Sequence, residues 1–313
     1  MKPLSSLIDY YYTSLHKELK NLEKKRQNAK RSTLLSFGVV FILFSFVFLL
    51  FVKKHGSFET DWFLLYGTAL VVAYGLVYKY HAKDYTKEFK LKIIAPLVAY
   101  MDENLHYSPY GYIPQSRFEQ AKITTQTISS YRGDDLISGV VKGVRVSFCD
   151  LLVEKKEQNR NTNETKTLFE GVFLEAEFPK HFYGTTYVYP QSFGSFLHYD
   201  IFGSEKLLKL DNVEFERYFM VYGSDTIEAR YLLSHSLMAK IVAFRKKVGY
   251  DMTFSFVGGK FFMAIHYDKP TFEAKLFSSL LDYKVAKEYM ETLYFGISVV
   301  EELALNKKLW SKR

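Results

Sequence analysis

Two apolar segments near the N-terminus constrain this chain more than any other feature. Thr33–Val52 is a run of 20 residues without a charge, and Trp62–Tyr78 adds 17 uncharged residues after a gap of nine. A helix rises about 1.5 Å per residue, so about 20 residues match a hydrocarbon core of about 30 Å. The spacing predicts a two-helix transmembrane hairpin over residues 32–80, with Asp61 and Lys79 in the headgroup layers.

Lysine and arginine are distributed unequally around these segments. Eight lie before the first segment and five between Lys79 and Lys92, whereas the connecting loop has two, offset by Glu59 and Asp61. Short loops rich in Lys and Arg stay on the cytoplasmic side. We therefore expect a bacterial cytoplasmic (inner) membrane protein with both termini in the cytoplasm. The first segment is too long, and begins too late, for a cleaved signal peptide.

The net charge of +8 belongs entirely to the N-terminal part. Residues 1–94 hold 15 Lys and Arg against 7 Asp and Glu, whereas residues 95–313 hold 27 of each. A nucleic-acid-binding protein would place its basic excess on the folded domain, so we expect no nucleic-acid partner. The surplus instead predicts contact with the lipid bilayer.

Residues 1–31 predict an amphipathic, basic N-terminal helix, because apolar residues recur every three to four positions. Two interpretations remain open. The helix lies on anionic lipid, or it packs on the soluble domain or a neighbouring protein. The apolar positions are Leu4, Leu7, Ile8, Tyr11, Leu15, Leu19 and Leu22.

The rest of the chain predicts a membrane-anchored α+β protein. Residues 81–107 continue as a helical stalk that Pro96 kinks or breaks. A linker over 108–116, with two prolines and a glycine, opens a cytoplasmic α+β domain over 108–313 with a mainly antiparallel sheet and packed helices.

Within this domain, alternation predicts strands and short polar signals predict turns and helix ends. The polar segment Glu154–Lys166 predicts a long exposed hairpin loop, and Gly258-Gly259 a two-residue turn. Asp211 and Asp225 begin two capping boxes, and Ser234 or Ser236 begins a further helix with Gly249 at its end. The strands are Ile137–Val153, Leu168–Phe178, Thr185–Pro190, Phe219–Tyr222, Met252–Val257 and Lys260–Tyr267, and the last helix covers about 282–306.

No established catalytic or nucleotide-binding motif occurs in the sequence. The single cysteine, Cys149, lies in an apolar strand-like run and predicts a buried core residue. The spacings His198-x-Asp200 and His266-x-Asp268 offer two metal ligands each, but such short matches are common by chance. We therefore predict no catalytic, cofactor-binding or metal-binding residues.

The densest polar cluster contains five candidate residues: Tyr222, Asp225, Glu228, Arg230 and Tyr231. One hypothesis is a ligand or peptide site, because a helix start holds anions. The other is a capped helix in which Arg230 ties down a loop by hydrogen bonds.

At this cluster the sequence resembles a known family. Phe215–Leu233, followed by Ser236-Leu237-Met238, looks like the signature of a bacterial family catalogued as domain of unknown function 3137, and Glu170–Tyr187 resembles an earlier block. The resemblance covers roughly residues 85–305. Family members often have Thr-Pro where this chain has Ser234-His235, so the helix break there is less certain. The resemblance implies no activity, cofactor or catalytic residue, and it implies an association with LemA-type membrane proteins.

The expected function is a membrane-tethered cytoplasmic interaction or scaffold module without inferred catalytic activity. The alternatives are an enzyme acting on a membrane-associated substrate, a small-ligand sensor or a transport accessory subunit. An exposed apolar patch or an open sheet edge favours the module, whereas pocket residues with perturbed pKa values favour the enzyme.

Labelling of single cysteines tests the predicted topology. A cysteine that replaces Ser57 should react with an impermeant reagent on intact cells, because the connecting loop is expected outside. A cysteine within the 154–166 segment should react only after lysis. The reverse pattern would move the domain to the outer side.

Overall fold

The computed structural model describes residues 2–55, 60–159, 162–177, 183–195, 205–269, 276–281 and 284–305. These residues fall into two compact units. The sheet unit contains the described residues of Met1–Leu7, Leu97–Phe272 and Ala286–Arg313. The helical unit contains those of Ile8–Pro96 and Glu273–Val285.

Long helices dominate the helical unit. The N-terminal helix α1 (Leu4–Thr13) is followed by α2 (His16–His55) and α3 (Thr60–Phe89), and a π-helical turn (Lys90–Ile94) then leads into α4 (Ala95–Met101). Both α2 and α3 contain a segment long and apolar enough to cross a membrane, and no residue of the 18-residue apolar window in either helix is buried in the protein. Helix α2 has 40 residues and is therefore about 60 Å long, twice the hydrocarbon thickness.

Polar and aromatic contacts join α2 to α3 along the apolar segments. Ser45 and Tyr66 share a hydrogen bond of 2.6 Å between their hydroxyl oxygens, and the Phe48 ring stacks on Tyr66 at 4.6 Å between centroids. Closer to the charged ends, the Ser36 Oγ and His81 Nε2 atoms lie 3.1 Å apart. These contacts pair the two helices and leave their other sides uncovered.

The basic N-terminal segment differs from the single helix predicted over residues 1–31. It divides between α1 and α2, and its apolar positions turn inward: Leu7 and Tyr11 are fully buried, and Leu15, Leu19 and Leu22 are at most 5% exposed. The apolar side is therefore covered by protein, as the packing interpretation expected, and is not available to lipid. Lys17, Lys20 and Lys24 remain exposed on the other side.

The sheet unit contains nine strands among the described residues, all paired antiparallel in the order β1-β2-β3-β4-β9-β8-β5-β7-β6. This confirms an α+β architecture with an antiparallel sheet. The strands are β1 Leu105–Ser108, β2 Ser130–Val141, β3 Val144–Asn159, β4 Thr162–Glu177, β5 Thr186–Pro190, β6 Lys206–Leu208, β7 Phe219–Gly223, β8 Met252–Val257 and β9 Lys260–His266. The helices are α5 Gln115–Gln120, α6 Val213–Glu216, α7 Thr226–Leu232, α8 His235–Val248 and α9 Lys284–Leu305.

The predicted division at residue 108 falls elsewhere in the structure. Strand β1 begins at Leu105, inside the range assigned to the stalk, and pairs with β2 along its whole length. The sheet unit also takes in the chain from Leu97. The reason is packing: Leu97, Val98 and Met101 of α4 are at most 1% exposed.

The Glu154–Lys166 segment was predicted as a loop, and that prediction is wrong. Strand β3 continues to Asn159 and β4 begins at Thr162, with residues paired as far as Asn159↔Thr162. An antiparallel ladder is made by backbone groups, so it continues beyond the core without apolar side chains. The predicted strand Ile137–Val153 is likewise two strands, divided by a turn in which Lys142 and Gly143 both have positive φ.

One sheet face is a continuous apolar row that crosses the strands. From β2 to β7, the paired residues are Ile137, Phe148, Leu174, Met263, Phe254, Val188 and Val221, all at most 2% exposed. Helix α9 packs on this face through Gly296, where an added Cβ would lie 2.7 Å from Leu174 and Phe148. Helix α8 packs on α9, with the Phe244 and Phe295 rings stacked at 3.8 Å.

The opposite face is covered by α5 and its flanking chain. Phe118 of α5 packs against the rings of Phe169 and Phe173. Cys149 lies in the same cluster, fully enclosed, and burial raises the pKa of its thiol. This confirms that Cys149 is a core residue, since a thiol held protonated is a poor nucleophile.

Several helix caps and turns that the sequence predicts are confirmed, and one helix cap lies one residue later than predicted. Ser234 caps α8 by accepting a hydrogen bond from the Leu237 amide, and Gly249 ends the helix at φ +77°. The Gly258-Gly259 turn joins β8 to β9 with positive φ at both residues. The cap of α6 is Asn212 rather than Asp211, because the Asn212 side chain accepts from the Phe215 amide.

Candidate functional site

The five predicted cluster residues occupy three different surroundings. Tyr222 lies on β7 in the row of Tyr187, on the face opposite α8 and α9. Asp225 and Glu228 begin α7. Arg230 and Tyr231 follow on α7, where Tyr231 is 43% exposed. The five residues therefore do not form a single pocket.

Asp225 and Glu228 have backbone partners that define a structural role. Asp225 Oδ1 accepts hydrogen bonds from the amides of Ile227 and Glu228 and so caps α7. The Glu228 carboxylate accepts from the amides of Tyr183, at 3.0 Å, and Gly184, at 2.6 Å. Because Glu228 bonds to a preceding loop instead of the Asp225 amide, only half of the predicted capping box forms.

Arg230 was the residue expected to tie down a loop in the structural hypothesis, and Glu228 takes that role instead. The Arg230 guanidinium lies 3.5 Å from Asp211, and the two side chains are 53% and 81% exposed. An exposed pair of this kind is worth about 0–1 kcal/mol. Arg230 is thus a surface residue with one weak ion pair.

A cleft of about 340 Å³ opens on the sheet face that α5 covers. It lies where the cover formed by α5 ends, and the Tyr189 hydroxyl fixes that end by donating to the Lys122 carbonyl at 2.7 Å. Its volume is near the lower end of small-molecule sites. The lining residues are Lys122, Ile123, Thr124, Thr125, Gln126, Lys166, Thr167, Leu168, Tyr189, Ser192, Phe193 and Asp251.

The charged side chains of this cleft differ in whether hydrogen bonds within the protein hold them in place. Asp251 accepts hydrogen bonds from Ser192, at 2.6 Å, and Arg245, at 2.7 Å, so its carboxylate is held in place. Lys122 lies over the Tyr187 ring, and Lys166 is exposed at the rim. A cleft lined by two lysines together with the apolar side chains of Ile123, Leu168 and Phe193 suits a small anionic ligand with an apolar part.

His266 lies beside the cleft and behind Phe193, with ring centroids 5.5 Å apart. Burial of the ring lowers the pKa of His266 to about 4, although Asp251 and Asp268 oppose that shift. The Nε2 atom has no hydrogen-bond partner among the described residues and no contact with solvent. The Nε2 side of the imidazole therefore faces the protein interior, whereas the residue as a whole is partly exposed. His198 and Asp200 lie outside the described residues.

Three carboxylates form a group that sequence reasoning missed. Asp134, Asp135 and Asp150 place one oxygen each within 4.8 Å of the others, a donor set that suits a divalent cation such as Ca²⁺ or Mg²⁺. The Tyr107 hydroxyl also donates to Asp135. Asp134 and Asp150 are register partners on β2 and β3, so only the strand pairing could have revealed the group.

Four large apolar side chains on the edge strand β6 and on the short helices α6 and α7 are exposed. We call Leu207, Val213, Ile227 and Tyr231 the edge patch; their exposed fractions are 57%, 72%, 69% and 43%. They lie on β6, α6 and α7, and Ile227 and Tyr231 share one side of α7 because they are four residues apart. The outer side of β6 pairs with no strand in the described part of the chain.

Two alanine substitutions in α7 distinguish Glu228, which holds the preceding loop, from Arg230, which is a surface residue. Glu228→Ala should lower the free energy of unfolding by about 2 kcal/mol, because the Tyr183 and Gly184 amides lose a charged acceptor. Arg230→Ala should change it by less than about 0.5 kcal/mol. Thermal unfolding of the detergent-solubilised protein measures both, and a larger loss for Arg230→Ala would restore Arg230 as the tie.

The solved structures include one significant match. It is the crystal structure of the mycobacterial trehalose monomycolate transport factor A, TtfA, with 8% sequence identity and a TM-score of 0.38. The match covers 64% of this chain and 88% of that chain. A likeness at this level carries no argument about this chain. No curated protein sequence matches significantly.

A family model matches part of this chain. It matches residues 167–305, which run from the middle of β4 to the end of α9. The matched range contains both sequence blocks that carried the resemblance, although it is shorter than the 85–305 expected. The family whose model matches is described as a protein of unknown function (DUF3137), and residues 167–305 of this chain are similar to it.

Proposed function

We propose that this chain is a membrane-tethered interaction or scaffold module. In this proposal α2 and α3 cross the cytoplasmic membrane of a bacterium as a hairpin, and both termini are cytoplasmic. The sheet unit then offers its edge patch to a membrane-protein partner. The family resemblance makes a LemA-type protein a candidate partner.

The observation that carries the proposal is the uncovered apolar surface of α2 and α3. Eighteen large apolar side chains of the two segments are exposed, including Leu35 and Val71 at 72% and Ile42 at 67%. Burying one such side chain is worth about 1.5–3 kcal/mol. Because these side chains are only partly exposed, burying all eighteen would be worth on the order of 20 kcal/mol. That free energy is more than the whole stability of a typical domain, which is about 5–15 kcal/mol. Lipid is the surrounding that removes this cost.

The distribution of charge supports the orientation. The exposed lysines of α2 before Thr33, and those after Tyr78, lie at the same ends of the paired helices. Lys and Arg at these ends favour the cytoplasmic side. They also attract anionic lipid by about 1 kcal/mol each near the surface, which supports anionic lipid as a partner of the basic N-terminal segment.

The edge patch supports docking of a protein. A short edge strand with unpaired backbone groups accepts an added strand from a partner. Leu207 supplies an exposed apolar side chain on this strand and Ile227 another on α7, and exposed apolar side chains of this kind mark interaction surfaces. The enzyme alternative has weaker support, because the Nε2 atom of His266, the perturbed group beside the cleft, has no contact with solvent.

The cleft favours a second candidate function, a small-ligand sensor. Lys122 and Lys166 are among the residues that line the cleft, and its volume of about 340 Å³ can hold a small anion. A sensor and a scaffold are compatible in one chain, but they depend on different surfaces.

Lysine substitutions at equally exposed positions test the membrane hairpin. Ile42→Lys with Val71→Lys should remove the protein from carbonate-washed membranes, because a lysine at a span centre costs about 2.5–3.5 kcal/mol. Val213→Lys with Ile227→Lys should stay in the membrane fraction. Exposure is similar in the two pairs, so equal retention would show that α2 and α3 are not in lipid.

Purification from native membranes tests docking with the same control pair. The Val213→Lys, Ile227→Lys variant should lose a co-purifying membrane protein that wild type retains, because two charges then interrupt the edge patch. Lys122→Glu with Lys166→Glu should retain that protein. Loss of the partner only in the cleft variant would favour the sensor over the scaffold.

A further inference from the structure

A short turn, Leu276–Leu281, lies between β9 and α9 in the chain and belongs to the helical unit. Its side chains are sharply divided. Leu276 and Leu280 are fully buried, whereas Phe277 is 46% and Leu281 is 43% exposed. The turn thus presents two large apolar side chains to the surroundings while two others hold it in place.

A buried ion pair on α2 fixes this turn. Arg26 donates to Glu23 through two nitrogens, at 2.9 and 2.6 Å, and donates to the Leu276 carbonyl at 2.6 Å. Glu23 also accepts from the Leu280 amide at 3.1 Å, and the Tyr11 hydroxyl donates to the Leu280 carbonyl at 2.6 Å. The two charged side chains are 8% and 9% exposed. Backbone groups at both ends of the turn are therefore bonded to the helices.

The position of Phe277 along the helices is defined by two further contacts. Its ring stacks on Tyr78 with centroids 6.3 Å apart and planes 17° apart. The Lys30 ammonium lies 5.6 Å from the Phe277 ring centroid. Tyr78 ends the second apolar segment, and Lys30 precedes the first by three residues. Phe277 is thus level with the boundary between the apolar and the charged parts of both helices.

We infer that Phe277 and Leu281 insert into the headgroup region of the cytoplasmic leaflet, so that this turn is a lipid contact separate from the two spans. The inference rests on the proposed membrane hairpin. Phe and Leu side chains on the apolar face of an interfacial segment lie about 5–10 Å deep, at the boundary between headgroups and acyl chains. The exposed Arg31, Lys79 and Lys83 lie near the same boundary, which makes an anionic lipid surface the matching partner.

Tryptophan fluorescence of the full chain in phosphatidylcholine–phosphatidylglycerol vesicles tests this contact. In a background with Trp62→Phe and Trp310→Phe, Phe277→Trp should lose fluorescence to brominated lipid, more to shallow than to deep bromines. Leu281→Trp should behave alike and provides a second site if Phe277→Trp disturbs the stack on Tyr78. Phe254→Trp, at a fully buried position in the core of the sheet unit, is the control and should not be quenched.

The outcomes separate this inference from the proposed function. A chain that keeps Trp62 as its single tryptophan should be quenched if α3 is in the membrane, and its failure to be quenched would overturn the hairpin itself. Quenching of Trp62 without quenching at positions 277 and 281 would overturn only the turn's lipid contact. Blue-shifted but unquenched emission at 277 would overturn it too, because a second copy of the chain would then cover the turn.

Discussion

An antiparallel sheet with two apolar faces places almost every other element of the sheet unit. The row from Ile137 to Val221 crosses the strands without an exposed member, so α8 and α9 must cover it. The opposite face needs a cover of its own, which α5 and its flanking chain supply only in part. The cleft beside Lys122 and Tyr189 is the place where that second cover ends, so its position follows from packing.

In the helical unit, the Glu23–Arg26 pair plays a comparable organising role. A buried ion pair is tolerated when further hydrogen bonds satisfy both groups, and here the backbone of the 276–281 turn supplies them. The pair therefore turns the charged side of an amphipathic segment partly inward. This explains why the segment before Thr33 makes protein contacts on its apolar side, while its remaining lysines face outward.

The contacts that a residue makes within the protein distinguish a structural role from a role in binding. The carboxylates of Asp225 and Glu228 accept from backbone amides and hold a helix end and a loop. Exposed apolar residues such as Leu207 and Ile227 have no such role within the described structure and carry the proposed docking surface. The exposed apolar side chains of α2 and α3 likewise carry the proposed membrane hairpin.

The sequence by itself determined the features that depend on neighbouring residues or on period. These are the two apolar segments, the α8 caps at Ser234 and Gly249, the Gly258-Gly259 turn and the family. Only the tertiary structure decided which distant residues meet. Strand register brought Asp150 to Asp134, backbone pairing carried β3 and β4 through a polar segment, and Glu23 with Arg26 bonded a turn some 250 residues away. Local signals act over one helical turn or one hairpin, whereas these contacts depend on how the two units pack within themselves.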